Sequence, residues 1–253
     1  MLNRSGTSFA ARVERLLDRV TYKRMESPSD LDAVRHLRYV AYIKEGAIES
    51  NPDERLTDSF DTLENAYVFG IFIDGMLASA VRLHMLCRTG QRSPALEAFG
   101  DTLLPLIRAG EVILDPNRFV ADPEAARIYP ELPFVTLRPA YMASAHFNPH
   151  KVTVTCRAEH QAFYKRHMFA RLAQPPRPYP TLTKPLSLML VDFAQDHQRI
   201  LDRNPYWQSS AAERHAMFAP VKTSRLVTAS SRWGGSDSRG GMESEPQRLA
   251  VGQ

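Results

Sequence analysis

Apolar residues recur at helical spacing through Phe9, Val13, Leu16, Leu17 and Val20, with Arg12, Arg15 and Arg19 on other faces, which predicts an amphipathic leader helix. Thr21 to Met25 has the composition of a strand. Ser27, Pro28, Ser29 and Asp30 supply helix-start chemistry for a helix carrying Leu31, Val34, Leu37, Val40 and Ala41 at helical intervals. Tyr67 to Ile73 and Met76 to Leu83 are runs of strand formers separated by Asp74 and Gly75. Asp-Gly in that place predicts a hairpin, because both residues tolerate the positive φ of a type I′ turn. Further strands are expected at Glu111 to Phe119, Lys151 to Cys156 and Ser187 to Phe193, with helices at Leu132 to His146, Ala158 to Met168 and Phe193 to Asp202. Pro175, Pro176, Pro178 and Pro180 read as a rigid connector.

This order of elements is that of an α+β fold built on one mostly antiparallel mixed sheet flanked by helices. From about residue 223 onward Ser, Gly and Arg dominate and apolar periodicity ends, which predicts a disordered tail. The expected division is a leader helix (1–20), one folded domain (21–205) and a C-terminal extension (206–253).

Composition narrows the class. With 43% hydrophobic and 24% charged residues, the 253-residue chain is neither fibrous nor wholly disordered. The longest apolar run, near Leu186 to Phe193, is far short of the roughly 20 residues that span a bilayer. Met1 to Ala10 lacks the apolar core of a signal peptide. Cys87 and Cys156 stand outside any CxxC pair, so neither a disulfide framework nor a cysteine metal site is expected. His146 and His150 flank Pro149 and suggest no third ligand, so no metal is assigned. A cytoplasmic protein is the expectation. The net charge of +4 is unevenly spread: residues 157–178 hold five Lys/Arg against one acid, whereas 45–64 hold seven acids against Arg55. Such asymmetry suits an acidic partner. No nucleic-acid-binding motif interleaves the basic residues.

Four segments carry candidate chemistry. Arg38, in Leu37-Arg38-Tyr39-Val40-Ala41-Tyr42, precedes Asp58-Ser59-Phe60-Asp61; then come Arg82 in the second hairpin strand, Asp115-Pro116-Asn117-Arg118-Phe119, and finally Phe163-Tyr164-Lys165-Arg166. In this order they resemble the acyl-carrier-dependent branch of the GNAT-like acyltransferases, which includes the N-acyl amino acid synthases of the FeeM type and the acyl-homoserine lactone synthases. The resemblance covers roughly residues 20–195. Lactone synthases carry Glu where this chain has Asp115, and a Trp after the first-helix Arg that this chain lacks.

The resemblance implies the GNAT-like acyl-CoA N-acyltransferase fold and transfer of a fatty acyl group from an acyl carrier protein thioester to the amine of an amino acid. It implies catalytic roles for Asp115, Arg118 and Arg82, and substrate binding by Arg38, Asp58, Asp61, Phe119, Phe163 and Tyr164. Arg157, Lys165, Arg166 and Arg171 would meet the carrier. No bound cofactor is expected, since the carrier protein supplies the acyl-phosphopantetheine, and the amphiphilic product would associate with membranes. The absence of glycine from Glu111 to Trp233 agrees with a donor lacking the nucleotide diphosphate, for which coenzyme A users place a Gly-containing loop at a helix start. The alternatives are a lactone synthase, or a non-catalytic module that binds the carrier or an acyl ligand. The ionic residues can equally form an internal network that fixes the acidic loop against the sheet.

Overall fold

The computed structural model describes residues 8–219 and the strand Leu226–Thr228. Helix α1 (Phe9–Leu17) leads into β1 (Val20–Arg24) and α2 (Pro28–Lys44). Ser27 caps α2 through a reciprocal pair with Asp30, and Pro28 occupies the first turn, where its missing N–H costs nothing. The hairpin β2 (Ala66–Ile73) and β3 (Met76–Leu86) turns at Asp74 and Gly75, whose φ values are 50° and 83°.

Two short helices, α3 (Pro94–Ala98) and α4 (Gly100–Arg108), precede β4 (Ile113–Ala121), α5 (Pro123–Ile128), α6 (Leu132–Phe147) and β5 (Lys151–Cys156). Then follow α7 (Gln161–Met168), the hairpin β6 (Arg171–Tyr179) and β7 (Leu182–Asp192), α8 (Phe193–Arg203), α9 (Ala211–Phe218) and β8 (Leu226–Thr228). The sheet order is β6-β7-β5-β4-β3-β2-β1-β8, and among the described residues only β4 and β5 pair in parallel. No helix among the described residues is long and apolar enough to cross a membrane.

Three differences from the sequence reading have physical causes. Pro175, Pro176 and Pro178 form no connector but belong to β6, with Pro180 in the turn that follows; β6 is an edge strand that pairs with β7 through repeated register shifts, and an edge tolerates residues that donate no ladder hydrogen bond. Helices α3 and α4 fill a stretch for which no element was expected, and they bury Ala95, Phe99, Leu103 and Ile107 with β7 residues. Residues beyond 205 belong to the main core: Tyr206, Trp207, Met217 and Phe218 pack with α1 and α6. The tail predicted from about residue 223 lies outside the described residues except for Leu226–Thr228, which pairs with β1.

The sheet separates two layers. Against one face, α6 is buried along most of its length and is joined by Val13, Leu16 and Leu17 of α1. Against the other, α2 packs Val34, Leu37 and Ala41 on Ala80 and Val120. The site lies where this sheet opens.

Candidate active site

Strands β4 and β5 pair only at Ile113 with Lys151 and at Leu114 with Val152, near their N-terminal ends. Beyond that point the ladder ends and a cavity of about 690 Å³ occupies the fork, lined by both strands. Its wall divides by chemistry. Phe119, Leu137, Phe163 and Met168 are apolar, whereas Tyr42, Arg118, Tyr179 and Lys184 present polar groups from α2, β4 and the β6–β7 hairpin. Loss of the ladder leaves the β5-facing edge of β4 open to an incoming chain with amides of its own.

A bulge in β4 aims Arg118. Ala80 pairs with Val120 and Arg82 with Asn117, so β4 holds one more residue than β3 over this interval. Arg118 has φ 51°, a left-handed conformation that costs a non-glycine residue about 1–2 kcal/mol. The extra residue puts Asp115, Asn117 and Arg118 on the α2 side of the sheet, while Phe119 packs with the α6 layer. Asp115 and Arg118 would face opposite ways on a regular strand.

Arg118 belongs to a buried ionic cluster. Arg38 gives two 2.8 Å hydrogen bonds to Asp61, and Arg82 reaches both Asp61 at 2.7 Å and Asp58 at 2.5 Å. Arg118 holds Asp58 at 2.8 Å and also donates to the Pro180 carbonyl and the Thr181 hydroxyl. Arg35 stands 3.7 Å from Asp61. Four guanidinium groups thus surround two carboxylates. Burial alone would raise both carboxyls, but the arginine hydrogen bonds and charges outweigh it, holding Asp58 well below the usual range and Asp61 below its ordinary value. The cluster keeps a positive excess and unused donors, among them Arg118 Nη1 and the Nε and Nη2 of Arg38. Of these arginines only Arg118 lines the cavity.

A neutral chain continues the cluster. Arg82 Nε donates to Asn117 Oδ1 at 2.7 Å, which leaves the Asn117 amide nitrogen to donate to His84 Nδ1 at 3.1 Å. His84 Nε2 therefore carries the proton, donated to the Phe60 carbonyl at 3.1 Å. Burial and the nearby Arg82 pull the imidazole down to about 3.

Asp115, expected beside the thioester, does not line the cavity. It is fully buried at the crotch of the fork, one residue past the last β4–β5 pair. Oδ1 accepts the Thr153 hydroxyl at 2.7 Å and Oδ2 the Ala95 amide of α3 at 3.2 Å. Burial pushes its carboxyl up, opposed by hydrogen bonds from Ser93, Thr153 and Ala95. Thr153 belongs to the cavity lining but is itself fully buried.

The remaining expected residues fall into two places. Phe119, Phe163, Tyr164 and Arg157 line the cavity. Burial pushes the Tyr164 phenol up, so it keeps its proton at neutral pH, and raises the neighbouring Cys156 thiol to about 11. Arg157 pairs with Glu45 at 3.2 Å and Glu159 at 3.0 Å. Lys165, Arg166 and Arg171 are exposed on α7 and the start of β6, with Arg171 3.2 Å from Asp196. Sequence reading assigned no role to Tyr42, Thr153, Tyr179 or Lys184. For Thr153 a signal existed: in Lys151–Cys156 the valines and Cys156 join the α6-side core, so alternation turns Thr153 and Thr155 the other way.

A mixed sheet that splits between two parallel strands around an apolar and polar cavity defines a GNAT-like acyltransferase fold. Residues 33–192 match the family model described as N-acyl amino acid synthase FeeM, and the chain belongs to that family. Its activity is N-acyl transfer. The solved structure of FeeM, an N-acyl amino acid synthase from uncultured soil microbes, matches with a TM-score of 0.61 at 14% identity, over 73% of this chain and 97% of that one. BjaI, a CoA-dependent acyl-homoserine lactone synthase solved with MTA, matches with a TM-score of 0.51 at 16% identity, over 69% and 82%. TofI, solved in a ternary complex with an inhibitor and MTA, gives 0.51 at 15% identity, over 74% and 99%. At these identities the likeness is one of fold. No curated protein matches by sequence.

Proposed function

We propose that this N-acyltransferase takes a fatty acyl group from an acyl carrier protein thioester and places it on the amine of an amino acid. The observation that carries the reading is Arg118: a buried guanidinium on the cavity wall, in a cluster with excess positive charge, with Nη1 unpartnered. A carboxylate is the group that such a fork recognises. With the acceptor carboxylate at Arg118, its amine reaches the thioester carbonyl in the fork while the acyl chain occupies the apolar half. The amine attacks, the C–N bond forms, and the C–S bond breaks; the thiolate leaves with a hydrogen bond from the Tyr164 hydroxyl and takes up the proton that the amine gives off. The open edge of β4 offers partners to the pantetheine amides.

Two features favour a carrier protein over coenzyme A. The first amides of α5, at the helix that follows β4, are already used: Asp122 Oδ1 accepts Glu124 N at 3.0 Å and Ala125 N at 2.9 Å, and a carboxylate there repels a diphosphate. Arg157, Lys165, Arg166 and Arg171 suit an acidic carrier surface. The test is a rate comparison with one acyl chain presented on carrier protein and on coenzyme A. A clear preference for the carrier supports the reading, and equal rates overturn its donor half.

A further inference from the structure

We infer that Tyr42 determines acceptor specificity: its hydroxyl, on the open side of Arg118, donates to the carboxylate of the acceptor amino acid. The inference rests on the amine-acylation reading above and adds the residue that selects a carboxylate.

Helix α2 brings Tyr42 to the site. Arg38, one turn earlier on the same helix, enters the ionic cluster, so a single helix face serves the cluster and the cavity together. Tyr42 lines the cavity, is half-buried, and holds its ring 5.8 Å from the Arg118 guanidinium. Arg118 is nearly closed, exposing 1% of its side chain. An anion drawn by the positive excess of the cluster meets Tyr42 on the accessible side.

The Tyr42 hydroxyl is free to act. Among the described residues nothing hydrogen-bonds to it, and it is not one of the unpartnered atoms sealed inside the protein. Its oxygen faces the reacting region. Burial works against the charge on Arg118, and Tyr42 leads the neighbours that outweigh it; after burial and Cys156, Tyr42 also raises the Tyr164 phenol. The oxygen is thus near both the guanidinium and the hydroxyl that meets the leaving thiol. Other polar groups on this wall are engaged. Tyr179 is buried and accepts the Thr155 hydroxyl at 3.1 Å, Lys184 donates to the Glu45 carbonyl, and Arg157 pairs with Glu45 and Glu159. A carboxylate offers one oxygen to Arg118 Nη1 and the other to Tyr42 Oη. A hydrogen bond to a carboxylate is stronger than one to a neutral carbonyl, so the Tyr42 hydroxyl favours an amino acid over its α-carboxamide.

The test uses the full chain and a carrier thioester, with an amino acid and its α-carboxamide as acceptors. The wild type is measured first. Acylation of neither acceptor, or no preference for the amino acid, removes the underlying reading and the inference with it. Where the wild type shows that preference, Tyr42→Phe should raise the amino-acid KM by about 10-fold and lower the preference over the carboxamide by a similar factor. The melting temperature should not change, because the hydroxyl has no partner inside the protein. An unchanged preference in Tyr42→Phe, or a fall in kcat shared equally by both acceptors, overturns the assignment of Tyr42.

Discussion

Arg38 on α2 and Asp61 in the loop before β2 share two 2.8 Å hydrogen bonds from a single guanidinium nitrogen, and neither side chain reaches solvent. The pair joins the helix to the acidic loop, and Arg82 joins both to the sheet. Removing the charge of Asp61 strands Arg38 and worsens the positive excess of the cluster. Asp61→Asn should therefore cost about 3–5 kcal/mol, read as a fall in the urea midpoint.

His84 sets an early acid limit. Its folded pKa is depressed from 6.5 to about 3, so its contribution to stability is complete above pH 6.5 and is lost as pH falls toward 3. Asp58 and Asp61, also depressed, lose theirs only below the ordinary carboxylate value of 3.8. Asp115 has the opposite sign, since its raised pKa favours the fold at low pH. His84→Gln keeps a donor for the Phe60 carbonyl without titrating. Its stability, followed by denaturant melts, should fall less steeply than wild type between pH 6.5 and the carboxylate range.

Arg82 and Arg118 should separate on substitution by Lys, which keeps charge but not the fork. Arg118 lines the cavity and Arg82 does not. Arg118→Lys should lower kcat/KM for the amino acid by about 10- to 100-fold, mainly through KM. Arg82→Lys breaks the links to Asp58, Asp61 and Asn117 and should register first as a lower melting temperature. The same selective rise in acceptor KM in both variants would contradict this division.

The parts of the fold that local chemistry dictates were legible in the chain. The Asp74-Gly75 turn and the Ser27 cap follow from backbone preferences of those residues, and the α+β order follows from periodicity. What could not be read depends on tertiary context. The β6 prolines are accommodated because β7 lies on one side only, a fact set by strand order. The ionic residues did assemble, and the orientation of each depends on the bulge at Arg118, which Pro116 signals, since strands admit proline chiefly at edges and bulges. Asp115 lies near the same cluster but is turned to Thr153 and α3, because the ladder between β4 and β5 stops one residue earlier.

The segment after residue 205 is a structural part of the domain. Trp207 is fully buried and donates to the Phe134 carbonyl at 2.7 Å, and Arg138 of α6 pairs with Glu213 of α9 at 2.6 Å. Trp207→Ala should cost about 3–5 kcal/mol. Truncation at residue 205 should give insoluble or unfolded protein, checked by circular dichroism; a truncated chain with the wild-type melting temperature would restore the boundary expected from sequence.

The most direct test of amide formation is the product mass. The purified chain is mixed with a carrier-bound acyl thioester of known length and a pool of amino acids, and the extract is read by mass spectrometry. The prediction is a species whose mass is the acyl group plus one amino acid less water, absent without enzyme and strongly reduced in Arg118→Lys. Release of free fatty acid with no amide, from folded protein and intact thioester, would contradict the account.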